Sequence, residues 1–196
     1  MRLILASESG SRRAMLDAAG IAFETMPARI DEDGIKTAMA GRPPRDIADI
    51  LAEMKAIKVS AANPVALVLG SDTIVALDNG TLLDKPTSRE QAAEHLRRMS
   101  GTVHRLWSAA VIAELGRPVW RHVESARMTV RPLSDRFIDD YLDHEWPAIA
   151  GCVGCYRIEG PGIQLFAGIE GSHFTILGMP LLPVIDYLRV RGSATS

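Results

Sequence analysis

The sequence lacks the features that mark membrane-bound, exported and nucleic-acid-binding proteins. No apolar run approaches the ~18 residues that a transmembrane helix requires. The N-terminus has no charged segment followed by a long apolar stretch and a cleavage site, so a signal peptide is not indicated. The formal net charge is −2, and no long basic block supports a nucleic-acid surface. We therefore expect a cytoplasmic protein that binds neither membranes nor nucleic acid.

Cysteine is scarce: Cys152 and Cys155, in the motif Cys-Val-Gly-Cys, are the two residues of this type. A structural zinc site needs four ligands, and no second group of Cys or His residues lies nearby in the sequence. A redox Cys-x-x-Cys pair usually opens a helix, whereas this pair leads into Tyr-Arg-Ile at 156–158, which is typical of a strand. We predict two small buried thiols, with a redox pair or half of a zinc site as the alternatives.

Several motifs of hydrolases and nucleotide-binding proteins are also absent. The five histidines form no His-x-x-x-His or His-Glu-x-x-His pattern, which argues against a zinc hydrolase. The Walker A and Gly-x-Gly-x-x-Gly patterns do not occur either. The serines near the N-terminus lie outside a Gly-x-Ser-x-Gly frame, so a serine hydrolase is not indicated.

The patterns that are present alternate between strands and helices. With 196 residues, of which 47% are hydrophobic and 23% charged, the chain can bury a sizeable core. The alternation indicates a mixed α/β fold with antiparallel hairpins, as a single domain over 1–192 followed by a frayed tail at 193–196. We predict strands at 2–6, 21–26, 65–77, 81–83, 103–114 and 119–130 with two more in 154–169, and helices at 12–19, 44–60, 88–99, 134–144 and 180–191.

The first thirteen residues form a strand-turn-helix pattern. The apolar stretch 2–6 runs into Ser-Glu-Ser-Gly-Ser at 7–11, and Arg12 and Arg13 then open an amphipathic helix. Free backbone N–H groups and the dipole at a helix start favour an anion, and guanidiniums supply fork-shaped donors for phosphate oxygens. The pattern indicates either a polyphosphate-binding loop or an ordinary turn beside two solvated arginines.

Asp72 lies inside a stretch, 67–75, that is apolar enough to be a central strand. Burying a carboxylate is costly unless it is paired, hydrogen-bonded or bound to a metal. The small neighbours Gly70 and Ser71 would let a ligand approach closely. We interpret Asp72 as a catalytic base or metal ligand, the alternative being an Asp that caps the next turn.

Two other charged residues are candidates for a phosphate or metal site. Glu32 lies in the acidic run 31–33, which suits either a Mg²⁺ site built from oxygen ligands or a solvated turn. Lys85 precedes Pro86 and is therefore held extended. From such a position it could reach a phosphate as a point charge, the alternative being a surface lysine.

Two lysines compete on the helix predicted at 44–60. The apolar stripe of this helix consists of Ile47, Ile50, Leu51, Met54 and Ile57. Periodicity places Lys58 nearer to the stripe and Lys55 at its flank. A lysine stem can follow an apolar surface and extend its ammonium outward, so periodicity does not select Lys55.

Six motifs follow one another along nearly the whole chain. They are Leu-Ala-Ser-Glu-Ser-Gly-Ser-Arg-Arg at 5–13, Ile-Asp-Glu at 30–32, Gly-Ser-Asp-Thr at 70–73, Asp-Lys-Pro at 84–86, Ser-Gly-Thr-Val-His at 100–104 and Gly-Met-Pro-Leu at 178–181. Taken together and in this order, they resemble the Maf family of nucleoside triphosphate pyrophosphatases.

This resemblance implies hydrolysis of a nucleoside triphosphate to the monophosphate and pyrophosphate, assisted by Mg²⁺ or Mn²⁺, and removal of modified or surplus nucleotides. It also implies an elongated α/β fold like that of inosine triphosphate pyrophosphatases, with a mixed sheet, a central cleft between two lobes, and a homodimer. The alternative that the resemblance suggests is a non-catalytic nucleotide-binding regulator of septum formation in cell division.

The resemblance also implies roles for individual residues. Asp72 would be the proton acceptor for the attacking water, and Glu32 with Asp72 would hold the metal. Here the resemblance selects Lys55, whereas periodicity leans to Lys58. The side chains implied to hold phosphates are Ser7, Arg12, Arg13, Lys55 and Lys85.

Three positions, Ser11, Thr73 and Glu159, bear on the choice of base. Family members that favour dTTP and UTP tend to carry Arg, Thr and Gln there, and those that favour 7-methyl-GTP tend to carry Trp, Gln and Glu. Thr73 fits the first group, Glu159 fits the second, and Ser11 fits neither. A carboxylate at Glu159 could accept hydrogen bonds from guanine N1–H and its exocyclic amine, so both substrate classes stay open.

Overall fold

The computed structural model describes residues 2–192, and the frayed tail predicted at 193–196 lies outside the described residues. The predicted mixed α/β fold is confirmed. The strands are β1 Arg2–Leu5, β2 Glu24–Thr25, β3 Ala66–Leu77, β4 Leu82–Leu83, β5 Val103–Glu114, β6 Arg117–Val130 and β7 Phe166–Glu170. The helices are α1 Gly10–Ala18, α2 Glu32–Ala38, α3 Pro44–Ala62, α4 Arg89–Met99, α5 Asp135–Glu145, α6 His173–Ile176 and α7 Leu181–Val190, with short 3-10 helices at Ala148–Gly151 and Pro161–Leu165. None of the helices in this described part combines the length and the apolar character that crossing a bilayer requires.

The sheet mixes parallel and antiparallel strands. Its order is β2-β1-β3-β5-β6-β7, and β4 pairs with β3. Strand β1 runs parallel to β2 and β3, whereas the pairs β3–β4 and β6–β7 are antiparallel. Parallel neighbours need a crossover connection and antiparallel neighbours can be joined by a short turn. Helices accordingly separate β1, β2 and β3 along the chain, while a short turn at 78–80 joins β3 to β4.

The chain divides into two compact units. The first contains the residues up to Thr73, residues 108–124 and those from His173 onward. The second contains residues 74–107 and 125–172. Strands β3, β5 and β6 contribute residues to both units. A single domain over 1–192 stays a prediction.

The central strands of the first unit are apolar on both faces. Leu3, Leu5 and Leu69 belong to one buried cluster, which also contains residues of α1 and α7. Ile4 belongs to a second cluster that includes Val59 of α3. Successive side chains of a strand point to opposite faces, so each of these faces is covered by helices. Such double coverage explains why these strands read as continuous apolar runs.

Helix α3 packs closely against β3 at Gly70, with a face that its apolar pattern does not predict. A Cβ at Gly70 would lie 2.2 Å from the carbonyl oxygen of Ala52 and 2.7 Å from the backbone nitrogen of Ala56. Small residues of α3 therefore face the strand, and the predicted stripe is wrong at Ile50 and Met54, which are exposed. The buried side of α3 consists of Ile47, Ala48, Leu51, Ala52, Lys55, Ala56, Val59 and Ser60.

The second unit differs from its prediction around the two cysteines. Segment 154–169 holds one strand, β7, instead of two, and 156–158 form no strand. Gly154 and Cys155 adopt φ values of 87° and 61°, and the backbone N–H of Cys155 donates to the carbonyl oxygen of Cys152 at 3.1 Å. A left-handed backbone cannot continue an extended strand, so the chain turns at this point.

Candidate active site

Serine hydroxyls hold the turn between β1 and α1 together. Ser9 caps α1, and its Oγ accepts from the backbone N–H of Arg12 at 3.4 Å. The backbone N–H of Ser9 donates to Oγ of the buried Ser7 at 3.2 Å. The Oγ atoms of Ser9 and Ser11 lie 3.1 Å apart. The strand-turn-helix predicted for the first thirteen residues is confirmed.

Arg12 is buried, and acceptors from three segments fix its guanidinium. Its Nε donates to the carbonyl oxygen of Gly178 at 2.8 Å. Its Nη1 donates to Ser7 Oγ at 3.2 Å, and its Nη2 donates to Thr73 Oγ1 at 3.1 Å. The alternative of two solvated arginines is therefore wrong for Arg12, whereas Arg13 is exposed.

Lys55 is also buried, and its Nζ lies between two carboxylates. It forms ion pairs with Asp72 Oδ1 and with Glu32 Oε1, the latter at 2.7 Å. Lys58, by contrast, is exposed and donates to a backbone oxygen at 2.8 Å. Periodicity is wrong about these two lysines, because the close packing at Gly70 turns a different face of α3 toward the sheet.

Asp72 lies within β3 and is 6% exposed. Because β3 continues to Leu77, the alternative of a turn-capping Asp is wrong. A buried carboxylate is tolerated when an opposite charge compensates it, and Lys55 supplies that charge. Ser71 and Thr73, two positions apart, both contact the carbonyl oxygen of Gly178.

The acidic run begins a helix that the sequence did not predict. Asp31 caps α2, and its Oδ1 accepts from the backbone N–H of Gly34 at 3.0 Å. Glu32 is the first residue of α2 and contacts Lys55, while Asp33 is exposed. The alternative of a merely solvated turn is therefore wrong for Glu32. Acidic residues are favourable in the first turn of a helix because they offset its dipole.

The charge of Arg12 interacts with this carboxylate pair. Burial lowers the pKa of Arg12 from its ordinary value, whereas the charges of Asp72 and Glu32 raise it. Arg12 Nη2 donates to Thr73, which follows Asp72 in β3, so the guanidinium lies close to the ion pair of Lys55 with Asp72. The first unit thus brings together six of the predicted site residues: Ser7, Arg12, Glu32, Lys55, Asp72 and Thr73.

Four candidates remain: Ser11 and Arg13 lie on α1 in the first unit, and Lys85 and Glu159 belong to the second unit. Lys85 and Glu159 are both exposed. Burial and the charge of Glu159 raise the pKa of the Cys152 thiol, whereas Arg157 and Lys85 lower it. Lys85 and Glu159 therefore share the neighbourhood of Cys152. Burial also raises the pKa of the Cys155 thiol to about 12, and a protonated thiol is a poor nucleophile.

Comparison with known proteins places this chain in a family. The family model described as "Maf-like protein" matches residues 2–191. A nucleoside triphosphate pyrophosphatase of Sphingopyxis alaskensis is 52% identical over 196 residues, which cover 99% of each chain. Nucleoside triphosphate pyrophosphatase 1 of a Jannaschia species is 52% identical over 193 residues, with 97% of each chain covered. The chain belongs to the Maf family.

Solved structures of two other proteins are less similar to this member of the Maf family in sequence. A nucleoside-triphosphatase (dITP/XTP pyrophosphatase) of Mycobacterium abscessus is 14% identical, covers 98% of this chain and 95% of its own, and gives a TM-score of 0.45. A HAM1 protein of Coxiella burnetii is 12% identical, with coverages of 66% and 73% and a TM-score of 0.42.

The carboxylates of this Maf family member suit a metal ion that also takes phosphate oxygens as ligands. Among residues 2–192, no three His, Cys, Asp or Glu side chains are arranged to hold a metal ion. Glu32 and Asp72 offer two carboxylates around the ammonium of Lys55. Mg²⁺ keeps several waters and commonly binds through one or two carboxylates plus phosphate oxygens. The residues present therefore fit Mg²⁺ or Mn²⁺ when a phosphate completes the coordination.

Sequence reasoning missed the partners that hold Arg12 in this Maf family member. The carbonyl of Gly178 accepts from its Nε although 166 positions separate the two residues. Ser108 contacts Thr73 Oγ1 at 3.0 Å. A backbone carbonyl and a buried serine leave no periodic signal, but the Gly-Met-Pro-Leu motif at 178–181 marks the place.

Proposed function

We propose that the chain hydrolyses nucleoside triphosphates to the nucleoside monophosphate and pyrophosphate. The observation that carries this proposal is the buried ion pair of Lys55 with Asp72, close to the anchored guanidinium of Arg12. Phosphoryl transfer depends on cations that position the phosphates and on a carboxylate that orients the nucleophile. Two relatives that are 52% identical and bear the name nucleoside triphosphate pyrophosphatase support the same activity.

The phosphates would bind around the start of α1. Arg12 would provide guanidinium charge, and the free backbone N–H groups of the helix start would donate to phosphate oxygens. Ser7 would contribute its hydroxyl and Arg13, exposed on the same helix, a second guanidinium. Lys85 would add a point charge.

Asp72 would accept the proton of the attacking water. The water oxygen bonds to the α-phosphorus while the bond from this phosphorus to the oxygen that bridges the α- and β-phosphates breaks. Pyrophosphate leaves with the electron pair of the broken bond. Lys55 would fix the orientation of the Asp72 carboxylate through their ion pair and offset charge on the phosphates. A divalent metal, Mg²⁺ or Mn²⁺, held by Glu32 and Asp72 would neutralise further charge on the phosphate oxygens.

Base selection would involve Ser11, Thr73 and Glu159. The exposed carboxylate of Glu159 supports a guanine base, since it can accept two hydrogen bonds from the Watson–Crick edge. Thr73 supports the alternative of dTTP and UTP. The relative kcat/KM for dTTP, UTP, GTP, 7-methyl-GTP and ITP decides between them. A strong preference for UTP would show that Glu159 does not select guanine.

The proposed setting is a cytoplasmic homodimer that removes modified or surplus nucleotides. The homodimer and the removal of nucleotides are what the resemblance to the family implies, and the cytoplasmic setting is an expectation from the sequence alone. Light scattering on the purified protein measures the mass directly, and a monomer would contradict the homodimer.

The test of the proposed function is pyrophosphate release from the nucleotide panel with Mg²⁺. Asp72→Asn should lower kcat/KM at least about 100-fold, which is the scale of general-base catalysis. The matched control Asp186→Asn changes an exposed residue of α7 and should leave kcat/KM unaltered.

Two results would contradict parts of this proposal. Normal turnover by Asp72→Asn would remove that residue from its role as proton acceptor. A wild-type chain that binds nucleotides without hydrolysing any of them would instead favour the non-catalytic regulator.

A further inference from the structure

Glu145 is a buried carboxylate in an unfavourable place. It is the last residue of α5 and is 4% exposed. The helix dipole opposes a negative charge at the C-terminal end of a helix, and burial adds the cost of lost hydration. The guanidinium of Arg157 offsets both costs, because its Nε and Nη2 donate to Glu145 Oε2 at 3.1 and 2.9 Å. The two residues therefore form an ion pair within the second unit.

Arg157 is also the first residue of the turn that carries Glu159. The backbone N–H of Gly160 donates to the carbonyl oxygen of Arg157 at 3.3 Å. Ile158 and Glu159 thus occupy the two central positions of a four-residue turn. Ile158 is buried and Glu159 is exposed. The turn is therefore anchored by one central side chain and presents the carboxylate of the other.

The backbone of this turn is held independently of the ion pair. Just before the turn, Tyr156 is buried, and its hydroxyl lies 2.8 Å from Nε2 of His104, the last residue of the Ser-Gly-Thr-Val-His motif. Just after the turn, a Cβ at Gly162 would lie 2.5 Å from the carbonyl oxygen of Arg157, so the chain packs against its own backbone. Glu145 therefore fixes the side chain of Arg157 and the place of its charge.

The place of this charge matters because two carboxylates lie within its range. The hydrogen bonds with Glu145 raise the pKa of Arg157, and the charge of Glu159 raises it as well. Glu145 takes both guanidinium contacts. Within the described residues 2–192, no side chain or backbone group forms a hydrogen bond or ion pair with the Glu159 carboxylate. Its oxygens can therefore accept hydrogen bonds from a ligand.

We propose that Glu145 is a positioning residue for base selection: by binding Arg157, it keeps this cation away from the Glu159 carboxylate, which then accepts from a guanine base. The proposal rests on the proposed function, in which Glu159 selects guanine. Without the charge of Glu145, the guanidinium is drawn to Glu159, two positions away in the same turn. An ion pair there competes with the donors of the base for the same carboxylate oxygens.

The main test is the ratio of kcat/KM for 7-methyl-GTP to that for UTP. Glu145→Gln keeps the size of the side chain and removes its charge, so this ratio should fall about fivefold, the scale of one exposed ion pair. A loss of stability alone lowers both kcat/KM values alike and leaves their ratio unchanged. In the Glu159→Ala background, Glu145→Gln should have no further effect, because its target is gone. Additive effects of the two changes would overturn the proposal.

Two further variants separate this role from a structural one. Asp143→Asn removes the charge of a residue on the same helix that pairs with Arg89 at 2.6 Å, and the ratio should stay within about twofold of the wild-type ratio. Arg157→Gln removes the competing cation, so its addition to Glu145→Gln should restore the ratio. Equal falls in Asp143→Asn and Glu145→Gln would overturn the proposal. A double variant as impaired as Glu145→Gln alone would overturn it as well.

Glu145→Asp tests the same role if Glu145→Gln does not fold. This variant keeps the buried charge but draws the carboxylate back by one methylene, so that it no longer holds both guanidinium nitrogens. The ratio should fall at least about twofold, and Arg157→Gln should again restore it. An unchanged ratio in Glu145→Asp would overturn the proposal.

Affinity for the nucleoside monophosphates separates this proposal from the proposed function. Calorimetry gives the ratio of the affinities for 7-methyl-GMP and UMP, which should fall about fivefold in Glu145→Gln, and only when Glu159 is present. A wild-type chain that hydrolyses no nucleotide would contradict the proposed function, while this coupling would still support the positioning role. Hydrolysis by the wild type, with both ratios unchanged in Glu145→Gln, would contradict the positioning role alone.

Discussion

Lys55 is a buried cation whose removal would leave two carboxylates without compensation. Its Nζ contacts Asp72, which is buried, and Glu32, which is partly exposed. A buried ion pair contributes little net stability, but breaking one partner of such a pair is strongly destabilising. The effect of this lysine on folding and its effect on catalysis can therefore be separated only with a matched control.

We expect Lys55→Met to lower the free energy of unfolding by about 3 kcal/mol, because it leaves the Asp72 carboxylate buried and unpaired. It should also reduce kcat/KM at least about 100-fold, since the orientation of the general base is lost. Lys58→Met on the exposed side of the same helix should change neither quantity. Urea unfolding and pyrophosphate release measure the two effects, and equal behaviour of the two variants would contradict the assignment.

The sequence allowed Asp72 to be predicted as a site residue because burying a charge costs free energy. Asp72 stands out because a carboxylate inside an apolar strand requires a partner. Periodicity does not identify that partner, since it leans to Lys58, whereas the resemblance to the family selects Lys55. Ser108 gave no signal of its own, and the motif at 178–181 marked Gly178 without showing its partner, because both contacts join segments that are distant along the chain.

Helix α3 and strand β3 show why that preference for Lys58 was wrong. The apolar stripe predicted for α3 follows the largest apolar residues of the helix. The close approach of the α3 backbone to Gly70 instead places Ala52 and Ala56 against the strand. Tertiary packing thus rotates the helix away from the orientation that periodicity alone predicts. The boundaries of α3 and β3 were nevertheless close to those predicted, since length and apolar content define them.

Gly70→Ala tests this helix–strand contact. The added Cβ would lie 2.2 Å from the carbonyl oxygen of Ala52, so we expect a loss of about 3 kcal/mol in the free energy of unfolding. The matched control is Gly10→Ala at the start of α1, where a Cβ would meet nothing within 4 Å. Urea unfolding should show Gly10→Ala at least as stable as the wild type. A fully stable Gly70→Ala would contradict the close contact.

In the segment after Cys152, the sequence pattern predicted a strand that the structure does not contain. Residues 156–158 have the composition of a strand, yet Gly154 and Cys155 place a left-handed turn directly before them. A positive φ at Cys155 is set by the surrounding packing and is not encoded by residue type, because non-glycine residues seldom adopt it. The prediction of a buried thiol is confirmed for Cys155 and wrong for Cys152, which is half-buried. Burial raises the pKa of both thiols, which disfavours the reactive thiolate form.

The stability of the folded chain should depend on pH through His104. This residue is wholly buried in the second unit, and its Nε2 lies 2.8 Å from the hydroxyl of Tyr156. Burial lowers the pKa of His104 to about 4 from an ordinary value of 6.5. The unfolded chain therefore binds a proton at a higher pH than the folded chain does. Stability from this group is full above pH 6.5 and is lost as the pH falls toward 4.

Urea unfolding at a series of pH values checks this dependence. Between pH 6.5 and 4, the wild type should lose about 3 kcal/mol more than His104→Gln, which cannot take up the proton. His144→Gln, at an exposed position of α5, should keep the wild-type profile. The same profile in wild type and His104→Gln would contradict the assignment.

The products of a single reaction test the proposed hydrolysis most directly. Phosphorus NMR of the wild-type chain with Mg²⁺ and its preferred nucleoside triphosphate identifies every phosphorus-containing species formed. Cleavage by the Asp72–Lys55 site predicts pyrophosphate and the nucleoside monophosphate in equal amounts. Orthophosphate with the nucleoside diphosphate, or no cleavage of any nucleotide in the panel, would contradict it.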